Sequence, residues 1–156
     1  KELQDLENSI ENSSFNISLD LPTFQTNDIV LKCKELLDFC FKDEVRQLCS
    51  FLLSCEEVEI QHSKFNSKPF DGGGEINVHQ DFPFFPHTTD SLMAMGIHID
   101  GSSQENGCIN YYPKCDELID HFNPEGEFTS EIDLKKLESI KPIPFIGPKG
   151  VVSFHH

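Results

Sequence analysis

The residues best suited to chemistry are His79-Gln80-Asp81. In an extended strand, residues i and i+2 point to the same face, so the His79 imidazole and the Asp81 carboxylate can converge on one cation. One imidazole, one carboxylate and a second imidazole from elsewhere make the facial donor set of mononuclear non-haem Fe(II), with adjacent positions left open for a chelating cosubstrate and O₂. Taken alone, the tripeptide reads more readily as a structural His and a solvated Asp. Its surroundings change that balance. Lys68-Pro69 and Gly72-Gly73-Gly74 lie upstream, and Phe82-Pro83-Phe84-Phe85-Pro86-His87-Thr88 follows directly.

The elements that must position these residues are legible as periodicities. Residues 1–27 are polar and rich in Asn, Ser, Glu and Asp, and read as a loosely attached arm with at most a helical turn. Ile29, Val30, Cys33, Leu36, Leu37 and Cys40 recur at helical spacing and predict a helix over 28–41, capped by Asn27 or Asp28. Val45, Leu48, Leu52 and Leu53 predict a second over 43–54. Such a hairpin is too small to stand as a bundle, so it is expected to pack on a sheet. From residue 57, Val58, Ile60 and His62 alternate with Glu57, Glu59 and Gln61, the mark of a half-buried strand. Short strands are expected at 76–78, 92–99, 108–112 and 151–156, with an Asn106-Gly107 turn, an extended 142–145 and a helix within 130–140. Helices followed by short strands and Gly/Pro turns give an α+β class with a barrel-like or two-sheet β body.

Length and charge bound the function. At 156 residues the chain holds one domain, read as 28–156 behind the arm. The net charge of −15 excludes a nucleic-acid backbone or an anionic membrane as partner, since both require clustered cations. No run of apolar residues is long enough to span a bilayer. The six cysteines contain no C-x-x-C pair and read as small core hydrophobes, with zinc or disulfides as the lesser alternatives. Without a secretory pattern, a reducing, cytoplasmic compartment is the default, and the acceptor patterns at Asn12 and Asn16 read as chance. The opening Lys1-Glu2-Leu3 and a last strand that stops at His156 give the expectation of a fragment of a longer protein.

In chain order, His79-Gln80-Asp81 leads into the Phe- and Pro-rich run to Thr88 and the apolar strand Leu92 to Ile99. Glu105-Asn106-Gly107-Cys108, Tyr112-Pro113 and Gly150 to His156 complete the series. This ensemble closely resembles the phytanoyl-CoA dioxygenase family of Fe(II)- and 2-oxoglutarate-dependent oxygenases, over residues 58–156 and most specifically 62–113. The resemblance implies a double-stranded β-helix, a jelly-roll or cupin-like barrel with the N-terminal helices on its outer face, here truncated at the C-terminus. It implies His79 and Asp81 as iron ligands, Fe(II) and 2-oxoglutarate as cofactors, and hydroxylation of a small organic or lipid-like substrate. In such enzymes 2-oxoglutarate is decarboxylated to succinate and CO₂ as the substrate is oxidised, and the protein orients the reactants.

The departures from the family are equally specific. The family's distal His, within an H-G-S, and an Arg that pairs with the far carboxylate of 2-oxoglutarate are both expected beyond residue 156. His156, and less readily His155, aligns with the family's F-H step, and His156 is the terminal candidate for the metal. The doubled His also reads as the stub of a tag. Tyr112-Pro113-Lys114-Cys115 lacks the G-S-H that usually follows the Pro. Ile97 stands where some members carry an aromatic beside the cosubstrate.

Further candidates carry competing readings. His62 and Lys64 share a strand face that can line the cosubstrate pocket, against a hydrogen-bonded core His and a solvated Lys. Lys68 reads as a loop charge, and His87 and His98 have no partner at ligand spacing. Phe82, Phe84 and Phe85 form a hydrophobic lip that suits core packing or substrate contact. The glycines at 72–74 suit a hairpin end or a mobile lid. Glu105 and Asn106 read as turn residues. The expectation is therefore an Fe(II)/2-oxoglutarate dioxygenase with a small-molecule substrate. The alternatives are a truncated, non-catalytic jelly-roll binding module and a jelly-roll holding another divalent metal.

Overall fold

The computed structural model describes residues 24–68, 75–85, 87–113, 115, 117–129 and 132–156. Most of the expected polar arm, the sites at Asn12 and Asn16 and the glycines at 72–74 lie outside these residues. The chain divides into two units between Glu75 and Ile76.

In the first unit the end of the polar stretch is not an arm. Phe24–Asn27 form strand β1, paired antiparallel with β2, Lys64–Ser67, in the register Asn27 opposite Lys64. The expected helix over 28–41 is two helices, α1 at Ile29–Lys32 and α2 at Lys34–Cys40, which meet at an extended Cys33 (φ −127°, ψ 103°). Ile29, Val30 and Cys33 are the buried part of the stripe, whereas Leu36 and Leu37 are half-buried. Neither Asn27 nor Asp28 caps α1 with its side chain. Asp28 adopts a left-handed backbone (φ 58°), its N–H donates to the Ser63 carbonyl at 2.6 Å, and the Ser63 hydroxyl accepts from Val30 N–H at 3.1 Å. The residue before β2 thus supplies the acceptor that the helix start lacks. Helix α3, Asp43–Leu53, opens with Asp43 and Glu44, as the helix dipole favours.

The strand expected from residue 57 through Lys64 forms only from Lys64 onward. A strand needs a hydrogen-bonded neighbour, and the four residues of β1 pair with 64–67. Residues 57–63 carry no ladder among the described residues, and Ile60 stays exposed.

The second unit is built on long-range pairing. β3, Ala94–His98, pairs antiparallel with β6, Val151–His155, so that Ala94 faces His155, Gly96 faces Ser153 and Ile97 faces Val152. β4, Asn110–Tyr111, pairs with β5, Ile143–Pro144, and Ser102 bridges Gly147. Asn106 and Gly107 make the expected turn: the Asn106 side chain accepts from Ser103 N–H at 2.9 Å, and Gly107 takes the positive φ of 74° that suits glycine. No strand forms at 76–78, and the helix expected within 130–140 is a 3₁₀ turn, Leu134–Leu137, capped by Asp133. Ile132 and Leu137 are buried, as are the polar Ser102, His121 and Ser153. The described strands are thus antiparallel two-stranded ribbons, compatible with a jelly-roll, and they do not close a barrel among the described residues.

Candidate functional site

Asp81, with helical torsions (φ −70°, ψ −37°), immediately precedes a 3₁₀ turn, Phe82–Phe84, with Pro at its start. Its carboxylate lies between two imidazoles. His79 Nε2 is 3.4 Å from Oδ1, and His155 Nε2, from the end of β6, is 3.2 Å from Oδ2. The three side chains are about a third exposed, at 33%, 27% and 31% for His79, Asp81 and His155, so the cluster is open to small molecules. The hydrogen bonds from His155 and then His79 hold the Asp81 carboxyl far below the usual carboxylate range, against the opposing effect of burial.

The far nitrogens of both rings are engaged. His79 Nδ1 donates to the Asn77 carbonyl at 2.7 Å, which leaves Nε2 as the atom facing Asp81. His155 Nδ1 is 3.2 Å from the Tyr111 hydroxyl, which donates to Ser153 Oγ at 3.2 Å; Ser153 Oγ in turn lies 3.0 Å from His98 Nε2. Parity explains this chain: Ser153 and His155 share one face of β6, and Gly96 and His98 share the facing side of β3. Burial, and then the charge of His155, lower the pKa of the His98 imidazole.

This donor set suits a divalent cation. Two ligands about 2.1 Å from one metal, at a right angle to each other, lie about 3 Å apart. The His79–Asp81 separation of 3.4 Å needs little adjustment to reach that spacing. Tying Nδ1 to a carbonyl is the usual way a protein aims a ligating imidazole. As they stand, no three His, Cys, Asp or Glu among the described residues are spaced to hold a metal, and each Asp81 oxygen faces one ring.

Two further candidates of this unit do not reach Asp81. His156, expected beside the metal, turns away: its Nε2 lies 2.5 Å from the Asp90 carbonyl, and His155 occupies the place at Asp81. Strand alternation is the cause, since His156 follows His155 on the opposite parity. Ile97 pairs with Val152 on the face of the ribbon opposite His155. His62 and Lys64 belong to the first unit; His62 is exposed with Nδ1 3.0 Å from the Gln61 side chain, not the core His expected there, because the strand meant to bury it does not form. The described cysteines are free thiols, with Cys33 buried and the others half-buried.

Two residues escape a reading of the sequence. Gln80 points away from its neighbours and reaches a loop far along the chain. His121, 2% exposed, lies against it with no local motif to announce it. Phe84, one of the three phenylalanines expected to form a lip, has aromatic neighbours. Phe84 meets the His79 ring edge-on at 5.4 Å and the Phe128 ring at 5.0 Å, and Phe122 packs on Phe128.

Comparison with known proteins points the same way. The model of the phytanoyl-CoA dioxygenase (PhyH) family matches residues 16–156. A probable alpha-ketoglutarate-dependent hypophosphite dioxygenase of Stutzerimonas stutzeri is 35% identical over 108 residues, which are 65% of this chain and 37% of that protein. The chain thus spans little more than a third of that relative's length. No solved structure matches the chain significantly.

Proposed function

Because this chain belongs to the phytanoyl-CoA dioxygenase family, whose membership implies Fe(II) and 2-oxoglutarate, we propose that it carries part of the active site of a 2-oxoglutarate-dependent dioxygenase. His79 and Asp81 are two of the iron ligands. His155 completes the donor set or holds the second oxygen of Asp81 so that the first stays on the metal. The observation that carries this reading is the Asp81 carboxylate held between two Nε2 atoms, with the His79 Nδ1 tied to a backbone carbonyl.

When bound, iron would supply the oxidation, with 2-oxoglutarate as the reductant that is decarboxylated. The chain's own residues do the remaining work. Asn77 orients the His79 ring, Tyr111 orients that of His155, and the two imidazoles hold the Asp81 carboxylate in place. Phe84, beside His79, keeps bulk water from one side of the metal position.

The substrate is a small molecule. The aromatic residues Phe84, Phe122 and Phe128 favour an organic or lipid-like one, and the charge of −15 disfavours an acyl-CoA, whose phosphates want cations. The relative's name speaks of hypophosphite, so a small phosphorus oxyanion belongs in the same substrate screen.

The test is an anaerobic titration of the protein with Fe(II) and 2-oxoglutarate, following the visible charge-transfer band of the chelate. A band in the wild type that disappears in Asp81→Ala, with the circular dichroism of the fold retained, is the expected result. A tightly bound cation with no such band would favour a jelly-roll holding another metal. Absence of both would favour a non-catalytic binding module.

A further inference from the structure

Gln80 stands between the two proposed ligands, and its side chain is fastened to a loop some forty residues away. The amide donates to the carbonyls of Cys115 at 3.2 Å and Glu117 at 3.0 Å, and its Oε1 accepts from Ile119 N–H at 2.7 Å. Both donors and the acceptor of the amide are therefore used. The main chain at the same position is held as well. Gln80 N–H points at His121 Nε2, 3.3 Å away, and His121 Nδ1 donates to the Ile119 carbonyl at 2.8 Å. The second bond fixes the first: with its proton on Nδ1, the ring offers Nε2 as an acceptor. His121 is buried, stacked on Phe128 (6.1 Å, 14°) and edge-on to Phe84 (5.9 Å, 86°). No side-chain polar atom buried among the described residues lacks a partner.

A loop needs no such arrangement merely to be anchored. Surface loops are ordinarily held by their own turns, and a buried imidazole with both nitrogens assigned is a costly way to add one bond. Place decides the matter. The main-chain torsions of Gln80 set the angle at which the His79 and Asp81 side chains leave the chain. Four hydrogen bonds, to Cys115, Glu117, Ile119 and His121, restrain those torsions, and none of them uses a side-chain atom of His79 or Asp81.

We propose that Gln80 and His121 are positioning residues that act as one clamp, fixing the His79–Asp81 pair in its metal-binding geometry and tying the segment 117–121 to it. This rests on the reading of His79 and Asp81 as metal ligands. Removing groups that orient ligating side chains typically weakens metal binding about 10- to 100-fold, and the clamp falls in that class.

The test uses the complete protein and Mn(II) or Co(II) alone. Affinity is measured from the paramagnetic resonance of free Mn(II) and geometry from the visible bands of Co(II), with thermal melting alongside. Gln80→Leu and His121→Phe are each expected to weaken Mn(II) binding about 10- to 100-fold and to shift the Co(II) bands, well below their melting temperatures. The double variant is expected to fall no further than the worse single one, since both break one device. Ser102→Ala, which removes a buried hydrogen bond to the Phe145 carbonyl away from the clamp, controls for lost stability and is expected to keep the wild-type affinity and bands. If either clamp variant does not fold, Gln80→Glu and His121→Asn replace them; the first keeps the size and the acceptor for Ile119 but loses both donors. Folded clamp variants with wild-type affinity and bands would overturn the clamp and leave the metal reading standing. Failure of the wild type to bind either ion would overturn both.

Discussion

Gly96 lies directly across the β3–β6 ladder from Ser153, and a methyl group at position 96 would come within 2.7 Å of the Ser153 hydroxyl and 3.4 Å of His98 Nε2. The glycine is therefore the space into which the chain from His98 through Ser153 and Tyr111 to His155 fits. Ser153 can escape a new methyl by rotating, but rotation breaks both of its hydrogen bonds in a site where it is buried. Gly96→Ala is expected to cost about 1–3 kcal/mol of stability, the usual range for overpacking, and to weaken metal binding by freeing the His155 ring. Urea denaturation read beside Mn(II) affinity checks this. A variant with unchanged stability and affinity would show that the hydroxyl chain does not hold His155.

The doubled histidine at the end of β6 separates into two roles. His155 reaches Asp81, and His156 reaches the Asp90 carbonyl. His155→Ala is expected to weaken Fe(II) binding at least 10-fold, as for loss of a ligand or of the residue that orients one, whereas His156→Ala is expected to leave it within about twofold. Calorimetric titration of the two variants distinguishes them. A larger loss at His156 would return the role to that terminal residue.

The difference between these neighbours shows what the sequence can and cannot say. His79-Gln80-Asp81 is legible because its geometry is local: the two side chains meet across a single residue, even though no strand forms there and Asp81 has helical torsions. The partner from β6 arrives through a pairing of strands more than fifty residues apart, and only its register decides between His155 and His156. The parity of Ser153 with His155 was available as a signal once Val151–His155 was read as a strand. His121 offered none, because its link to Gln80 crosses forty residues without periodicity. The alternation at 57–62 misled for a related reason. A period of two describes what a strand would bury, but a strand also needs a neighbour, and the pairing partner lies with β2 instead. The stripe over 29–40 did identify helical residues, but not the extended Cys33 that divides them, since a buried thiol fits either continuation.

His98 provides a pH signature at a residue outside the proposed ligand set, though coupled to the charge of His155. Its ring packs on Phe145 at 4.8 Å and faces Ser153 Oγ, with His155 further along the same face. Burial, and then the charge of His155, lower its pKa below the ordinary 6.5. The folded chain therefore holds a proton at His98 less readily than the unfolded chain does. Protons then favour unfolding: the contribution is fully present above about pH 6.5 and is lost as pH falls from there toward the folded-state value. In His98→Gln, which keeps an acceptor for Ser153, that loss should vanish. The urea midpoint of the wild type is expected to fall more between pH 7.5 and 5.5 than that of the variant, because the other titrating groups are common to both and cancel. Equal falls would mean that His98 binds its proton as well in the folded chain as in the unfolded one, and that the hydroxyl chain tolerates a charged ring at its inner end.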